Sequence, residues 1–257
     1  MSDYDRDVLA SAPVDRVEYQ PTLSSTSDCA RELAAELAAG ETLLVVADEQ
    51  TAGRGRGSNR WWTGPGSMAF SVLFHPLERG IERRYTAMIA LAVAVAICEV
   101  VCRRLMGHSV GLHWPNDVYV GDQKLAGILV EALPDGRHIV GVGVNVNNSA
   151  CDAPPELHRL VATMTDLAGD RFDRSELLVE LLQEFNIALQ VLATAPQELG
   201  RQSDRLCLQH GKQLTIDLAG QRHTGRCIGI ADDGALVLDV AGVHQRLYSG
   251  VLVKPSA

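Results

Sequence analysis

With 257 residues, 46% of them hydrophobic, and a mean hydropathy of +0.03, the chain is long enough for one large globular domain, alone or with a small companion. Its formal net charge of −9 argues against a general nucleic-acid binder, which would show a basic face. The six cysteines are scattered without CxxC spacing, which is typical of a reduced, cytoplasmic protein.

The N-terminal part is predicted to contain a strand, a helix and a second strand. Residues 1–20 show no secretory signal and are predicted to be a polar extension leading into a strand at residues 16–19. Residues 22–27 (TLSSTS) precede ARELAAELAAG, a helix-forming run that Gly40 should end. The hydroxyls can cap this helix or face a ligand, because a helix N-terminus collects free donors. Residues 42–48 (TLLVVAD) are a buried strand.

Residues 48–62 read DEQTAGRGRGSNRWW, and we call them the arginine–glycine loop. Gly53, Gly55 and Gly57 alternate with Arg54 and Arg56, and glycines at this density favour neither helix nor strand. Arginine grips carboxylate or phosphate oxygens with two donors and keeps its charge. The segment is therefore either a solvated turn or a mobile loop that orders around a small anion. It matches neither of the phosphate-loop patterns GxxxxGK[ST] and GxGxxG.

The middle of the chain is predicted to combine strands with one long helix. We expect a strand at residues 67–75, a helix at 83–106, a short strand at 112–114, a hairpin of 118–120 and 124–132 around a Gly-Asp turn, and a strand at 139–146. The most apolar run, residues 87–98, is too short to span a bilayer. It is therefore a buried core helix, and no membrane partner is expected.

The C-terminal part changes from helices to short strands. Helices are predicted at residues 155–162, 174–192 and 196–208, followed by strands at 213–218, 223–230, 236–240 and 243–248. Short strands with tight turns indicate a small barrel, so we place a domain boundary there. The expected units are an N-terminal extension (1–20), a catalytic domain (21–208) and a barrel domain (209–257).

Three further motifs carry polar groups or glycines at unusual places. Residues 113–117 (HWPND) end a strand with polar side chains, and residues 124–129 (KLAGIL) begin one with a single lysine. Residues 141–145 (GVGVN) place two glycines inside a strand, which weakens it unless something packs flat against the backbone. Each motif also has a purely structural interpretation. Trp114 can be core, Asn116 and Asp117 can cap a turn, and Lys124 can be a solvated edge charge.

In this order the motifs resemble those of the biotin protein ligases. The resemblance rests on the Ser-Thr pair before the first helix, GRGR with a following tryptophan, WPND, KLAGILVE and GVGVN, and it extends over about residues 17–253. It is closest to the monofunctional type, because about 20 residues precede the first motif and leave no room for the DNA-binding winged helix of bifunctional relatives. No DNA partner is therefore expected.

The resemblance implies both a fold and a reaction. The fold would be mixed α/β, with a central sheet and covering helices as in class II aminoacyl-tRNA synthetases, followed by a small SH3-like barrel. Biotin and ATP would give biotinyl-5′-adenylate and pyrophosphate. A lysine of a biotin carboxyl carrier protein domain, from acetyl-CoA carboxylase or a related carboxylase, would then displace AMP. Mg²⁺ would be held mainly by the ATP phosphates and water, with no protein metal site.

The candidate site residues follow from that chemistry and from the resemblance. The biotin carboxylate and the α-phosphate are both anions, so fixed cations are needed between them. The expected catalytic residues are Lys124, Arg54, Arg56 and Asp117, the last to orient Lys124 or the incoming amine. The expected biotin-binding residues are Ser25, Thr26, Ser27, Gln50, Arg54, Gly55, Arg56 and Lys124. The expected ATP-binding residues are Trp61, Asn116, Lys124 and Asn145.

Two positions depart from the family pattern, and three alternative functions stay open. Ser27 replaces a common asparagine and His113 a common lysine, which leaves the effect of both positions open. A histidine at position 113 would supply charge to bound phosphates only below about pH 6.5, or would only pack beside Trp114. The alternatives are a lipoate or octanoyl ligase of the same fold, a biotin-dependent repressor and a biotin-sequestering module.

Overall fold

The computed structural model describes residues 4–253. A seven-stranded mixed sheet forms its centre, and its strands lie in the order β1-β2-β3-β7-β6-β5-β4. They are β1 (Arg16–Leu23), β2 (Leu43–Gln50), β3 (Met68–Phe74), β4 (Val110–His113), β5 (Asp117–Val120), β6 (Gln123–Ala132) and β7 (His138–Val144). The β1–β2 pair is parallel and the other pairs are antiparallel. The mixed α/β fold expected from the sequence is confirmed.

Helices cover both faces of this sheet. They are α1 (Arg6–Leu9), α2 (Thr26–Leu33), α3 (Ile89–Arg104), α4 (Met164–Ala168), α5 (Arg174–Thr194) and α6 (Pro196–Arg205). On one face α2 packs Ala30 against Leu43 and Val45. On the other face α3 and α5 share the main core with Val46 and Phe70. The segments Arg83–Arg104 and Arg174–Thr194 are long and apolar enough to cross a membrane, but the apolar side chains of α3 and α5 pack in the main core.

A second, five-stranded antiparallel sheet follows α6. Its strands are β8 (Gln213–Leu218), β9 (Gln221–Ile230), β10 (Leu236–Val240), β11 (Val243–Leu247) and β12 (Val251–Leu252). They lie in the order β11-β10-β9-β8-β12. This small β domain contacts the first sheet near the WPND motif, where Trp114 Nε1 donates to the carbonyl of Gly234 at 3.1 Å.

Several predicted elements differ from the structure for tertiary reasons. The helix expected at residues 155–162 is only a 3-10 turn, Pro155–Leu157, because the chain then runs beside Lys124, which donates its N–H to the carbonyl of Leu160 at 2.7 Å. Helix α2 ends at Leu33, followed by the 3-10 turn Ala34–Glu36, well before Gly40. Helix α6 stops at Arg205 because the next residues pair with β4. The segment predicted as a polar extension contains α1 and buries Leu9 in the main core.

Candidate active site

A cleft opens on the sheet face that α2 covers, between α2, the second half of β7 and the arginine–glycine loop. Among the residues that line it are most of the predicted site residues: Ser25, Thr26, Ser27, Gln50, Arg54, Gly55, Arg56, Trp61, Asn116, Asp117 and Lys124. Segments that are far apart in the chain therefore meet here, since β2 delivers Gln50 and β5 and β6 deliver Asp117 and Lys124. Asn145 does not line the cleft.

A buried hydroxyl cluster forms the end of the cleft at the N-terminus of α2. The N–H and the hydroxyl of Thr26 donate to Gln50 Oε1 at 2.9 and 3.1 Å. The hydroxyls of Thr26 and Ser27 lie 2.8 and 3.0 Å from Ser71 Oγ. Ser25 is 2% exposed, and its side chain makes no capping hydrogen bond. These groups offer donors and acceptors side by side, as a small polar ligand requires.

Ser71 is a member of this cluster that the motifs did not reveal. It lies in β3, whose seven residues are all buried, and its hydroxyl is fully buried between α2 and Gly141 of β7. The sequence does contain one indication of this role, a single polar residue inside the apolar run MAFSVLF. A buried hydroxyl needs a hydrogen-bond partner, which a polar cluster supplies.

Lys124 and Asp117 form an ion pair in the middle of the cleft. Lys124 Nζ lies 2.8 Å from Asp117 Oδ1, and the two side chains are 31% and 21% exposed. They reach each other across the β5–β6 ladder, where an irregularity between Val118 and Tyr119 shifts the register. Lys124 Nζ also lies 5.6 Å from the ring centroid of Trp61. The ammonium group is thus held between a carboxylate and an indole.

The indole of Trp61 lies flat over two paired glycines, Gly127 of β6 and Gly143 of β7, which we call the glycine platform. A Cβ at Gly143 would lie 2.2 Å from Trp61 Cε2, and one at Gly127 would lie 3.1 Å from Trp61 Cζ3. Trp61 Nε1 is buried and has no hydrogen-bond partner among residues 4–253. Of the two glycines predicted to admit a flat group, Gly143 admits the indole, whereas Gly141 faces the Ser27 hydroxyl.

The two loop arginines have different surroundings. Arg56 Nη1 donates to Asn116 Oδ1 at 3.2 Å and to the carbonyl of Gly250 at 3.1 Å, both uncharged acceptors. Burial lowers the pKa of Arg56, partly offset by Asp117, and the guanidinium stays cationic. Arg54 instead donates to both carboxylate oxygens of Glu131 at 2.9 and 2.8 Å. The hydrogen bonds that Arg54 donates to Glu131 raise the pKa of Arg54.

Asn145 and His113 lie behind the cleft. Asn145 is 2% exposed, donates to the carbonyl of Lys124 at 3.4 Å and accepts from Asn148 at 3.0 Å, so it supports the backbone beneath Lys124. The ring of His113 stacks on that of Tyr119 at a centroid distance of 4.5 Å. Burial lowers the pKa of His113, with an opposing effect of Asp117. The imidazole is therefore neutral at pH 7.

Comparison with known proteins adds a family and relatives. The model of the Biotin/lipoate A/B protein ligase family matches residues 19–147. The bifunctional ligase/repressor BirA of Bacillus subtilis is 32% identical over 238 residues, which cover 90% of this chain and 71% of that protein. The biotin–[acetyl-CoA-carboxylase] ligase of Mycobacterium tuberculosis is 29% identical over 90% of this chain and 87% of that protein. The structure of the biotin protein ligase from Aquifex aeolicus in complex with biotin and ATP superposes with a TM-score of 0.82 at 25% identity, over 93% of this chain and 98% of that one.

Proposed function

Because this chain belongs to the biotin/lipoate A/B protein ligase family, we infer that it is a biotin protein ligase, an ATP-dependent enzyme that attaches biotin to a protein. The observation that carries this inference is the match over 90% of the chain to two relatives, one named a biotin–[acetyl-CoA-carboxylase] ligase and the other a bifunctional ligase/repressor. The cleft agrees with it chemically, since it combines a polar end, two cations and a flat apolar platform.

In the first step a carboxylate oxygen of biotin attacks the α-phosphorus of ATP, and pyrophosphate leaves with the electron pair of the broken P–O bond. Both reactants are anions, so cations in a partly desolvated cleft stabilise the transition state. Lys124 and Arg56 fit this role because they are fixed by Asp117 and by Asn116. Asp117 orients the ammonium group, and the glycine platform lets the Trp61 indole lie close to β6 and β7, beside Lys124.

In the second step the amine of an acceptor lysine attacks the acyl carbon of the biotinyl adenylate. The C–O bond to AMP breaks, AMP leaves, and the amine nitrogen gives up a proton as the amide forms. The acceptor is a biotin carboxyl carrier domain of acetyl-CoA carboxylase or a related carboxylase, in keeping with the name of the mycobacterial relative. Arg56 and Lys124 also favour departure of the AMP phosphate.

Biotin and ATP divide the cleft between them. The hydroxyl cluster of Ser25, Thr26 and Ser27, with Gln50, suits the ureido group of biotin, which has donors and acceptors together. The Trp61 indole, beside Lys124, and Asn116, which accepts a hydrogen bond from Arg56, suit the nucleotide. Asn145 acts on this site through the backbone of Lys124.

Mg²⁺ is proposed to arrive on the ATP phosphates. Within residues 4–253 no three His, Cys, Asp or Glu side chains are grouped so that they could hold a metal ion. A magnesium ion on ATP keeps most of its ligands as phosphate oxygens and water, so it needs no dedicated protein cage. It would lower the repulsion between the two anionic substrates.

The domain limits and the location complete the proposal. We assign residues 21–208 to catalysis together with the described residues before them, because β1 begins at Arg16 and Leu9 lies in the main core, and residues 209–253 to the small β domain. A cytoplasmic location agrees with the six cysteines, which are all free thiols.

Pyrophosphate exchange tests the function. Purified protein with radiolabelled pyrophosphate and ATP should form labelled ATP when biotin is added. Lipoate and octanoate at equal concentration should give less than about a tenth of that rate, because they have no ureido group to hydrogen-bond with the hydroxyl cluster. Exchange that depends on lipoate and not on biotin would instead support the lipoate ligase alternative.

A further inference from the structure

Arg54 is part of a closed ring of four charged side chains at the rim of the cleft, which we call the Arg54 cluster: Asp28, Arg31, Arg54 and Glu131. Arg54 lies 2.8 Å from Asp28 and 2.8 Å from Glu131. Arg31 lies 2.9 Å from Asp28 and 3.0 Å from Glu131. Each guanidinium therefore touches both carboxylates, and the four formal charges cancel.

This arrangement makes Arg54 a poor binder of a ligand anion. Its two terminal nitrogens already donate to Glu131 and Asp28, with the two-pronged geometry that arginine makes to a carboxylate. An incoming phosphate would have to displace two carboxylates that remain nearby and repel it. Arg56, which donates only to neutral acceptors, has no such competition.

The Arg54 cluster joins three parts of the site. Asp28 and Arg31 belong to α2, whose first turn carries the hydroxyls Thr26 and Ser27, and Glu131 belongs to β6, which carries Lys124. In the loop, the neighbours of Arg54 are themselves bonded: Gly53 accepts from the N–H of Trp61 at 3.0 Å, and Gly55 donates to the carbonyl of Asn59 at 2.8 Å. Fixing Arg54 therefore fixes the segment that holds Trp61 over the glycine platform and directs Arg56.

We propose that Arg54 is a positioning residue, which latches the arginine–glycine loop to α2 and β6 through the Arg54 cluster and so keeps the adenylate in the cleft. The proposal rests on the proposed function, since it concerns the intermediate of that reaction. The latch excludes water from the mixed anhydride and slows its escape until the acceptor lysine arrives. Glu131 and Asp28 are as necessary to it as Arg54 is.

The test compares Arg54→Gln, Glu131→Gln and the double variant, with Arg103→Gln as the matched control. Arg103 is a similarly exposed arginine that pairs with Glu180 and Glu184 on the helical face. Radiolabelled biotinyl adenylate is formed on the enzyme, and its release into an excess of unlabelled biotin and ATP is timed. Both single variants should release it about tenfold faster, the double variant about as fast as either, and Arg103→Gln at the wild-type rate. The wild-type release rate should also rise with KCl, because partly exposed ion pairs are screened.

The decisive result is whether Glu131→Gln speeds or slows the release of the adenylate. If Arg54 were an anion-binding group, removing Glu131 would free it, so release would stay at the wild-type rate or slow while Arg54→Gln accelerates it. That result, or wild-type release from both single variants, overturns the latch. Asp28→Asn, expected to accelerate release as well, replaces Glu131→Gln if that variant has a lowered unfolding midpoint.

A second readout separates the latch from the proposed function. Chymotrypsin cleavage after Trp61 or Trp62 in the enzyme without substrates should be several-fold faster in both single variants than in wild type and in Arg103→Gln. This readout needs no adenylate. Wild-type protein that forms no adenylate refutes the proposed function, whereas equal cleavage of all four proteins refutes the latch.

Discussion

Two alanine substitutions on one strand should separate biotin binding from ATP binding. Gly141 and Gly143 lie two residues apart in β7 and therefore face the same side of the sheet. A Cβ at Gly141 would lie 2.6 Å from Ser27 Oγ, whereas one at Gly143 would lie 2.2 Å from Trp61 Cε2. Neither glycine has a positive φ, so alanine adds no backbone strain at either position. The two methyl groups thus act on different parts of the cleft.

The size of each effect depends on how far the side chain next to the new methyl group can move. Ordinary contact begins at 3.4 Å, so the indole has to retreat by about 1.2 Å from Gly143→Ala, and it is a rigid group wedged over the platform. A displacement of about 1 Å in a positioned group can cost about 100-fold in rate. The Ser27 hydroxyl can rotate away from Gly141→Ala, at the expense of its hydrogen bond to Ser71, which is worth about 1 kcal/mol, or about fivefold.

Pyrophosphate exchange with one substrate varied and the other saturating gives both constants. Gly143→Ala should lower kcat/KM for ATP by about 100-fold and change the KM for biotin less than about threefold. Gly141→Ala should raise the KM for biotin about fivefold and leave ATP unchanged. Thermal unfolding midpoints close to wild type are the control. If both variants weaken the same substrate to the same degree, the division of the cleft between biotin and ATP is wrong.

Three further substitutions test the charges of the structure. Lys124→Met should lower the rate of pyrophosphate exchange by a factor of about 10²–10³ and leave the unfolding midpoint unchanged. In the control Lys212→Met, which replaces a side chain that is 53% exposed, the exchange rate should stay at the wild-type value. A near-wild-type rate for Lys124→Met would show that this lysine has no catalytic role. Asp48→Ala removes the acceptor of two hydrogen bonds, one from the Tyr19 hydroxyl and one from the buried guanidinium of Arg174 at 2.7 Å, and should cost about 3 kcal/mol in urea unfolding. A loss within about 0.5 kcal/mol would show that these hydrogen bonds are not needed for stability. Burial lowers the folded-state pKa of His113, so below about pH 6.5 the unfolded chain binds the proton before the folded chain does, and the free energy of unfolding falls as the pH drops towards the folded-state pKa. In urea titrations over that pH range, His113→Gln should therefore lose less stability than wild type. Parallel curves for the two proteins would contradict the lowered pKa.

The fold was most predictable where local pattern and tertiary packing agree. The apolar run before the arginine–glycine loop predicts β2, the Gly-Asp turn predicts the β5–β6 hairpin, and the long apolar run predicts α3. The strand β12 (Val251–Leu252) is two residues long and exists only through its pairing with β8. The 155–162 segment has helix-forming residues, but its backbone pairs with β6 at Lys124 and Val161 instead. A contact between residues this far apart in the chain cannot be predicted from a local sequence pattern.

The candidate site was predictable where motifs adjoin in sequence and not where distant residues meet. Asp117 and Lys124 are close in the chain, so their pairing across a hairpin could be expected. Arg54 donates to both oxygens of Glu131, which is 77 residues away, and nothing in the sequence of the arginine–glycine loop indicates that Arg54 and Arg56 have different roles. His113, considered as a possible source of charge, is instead stacked on Tyr119 and neutral at pH 7.

Biotin transfer to a carrier domain tests the central claim most directly. A purified biotin carboxyl carrier domain is incubated with the enzyme, biotin and ATP, and the products are analysed by mass spectrometry. We expect one biotin on one carrier lysine, with one AMP and one pyrophosphate formed per biotin, and no labelling when ATP is omitted. A carrier that stays unmodified with biotin, or that accepts lipoate in its place, would contradict it.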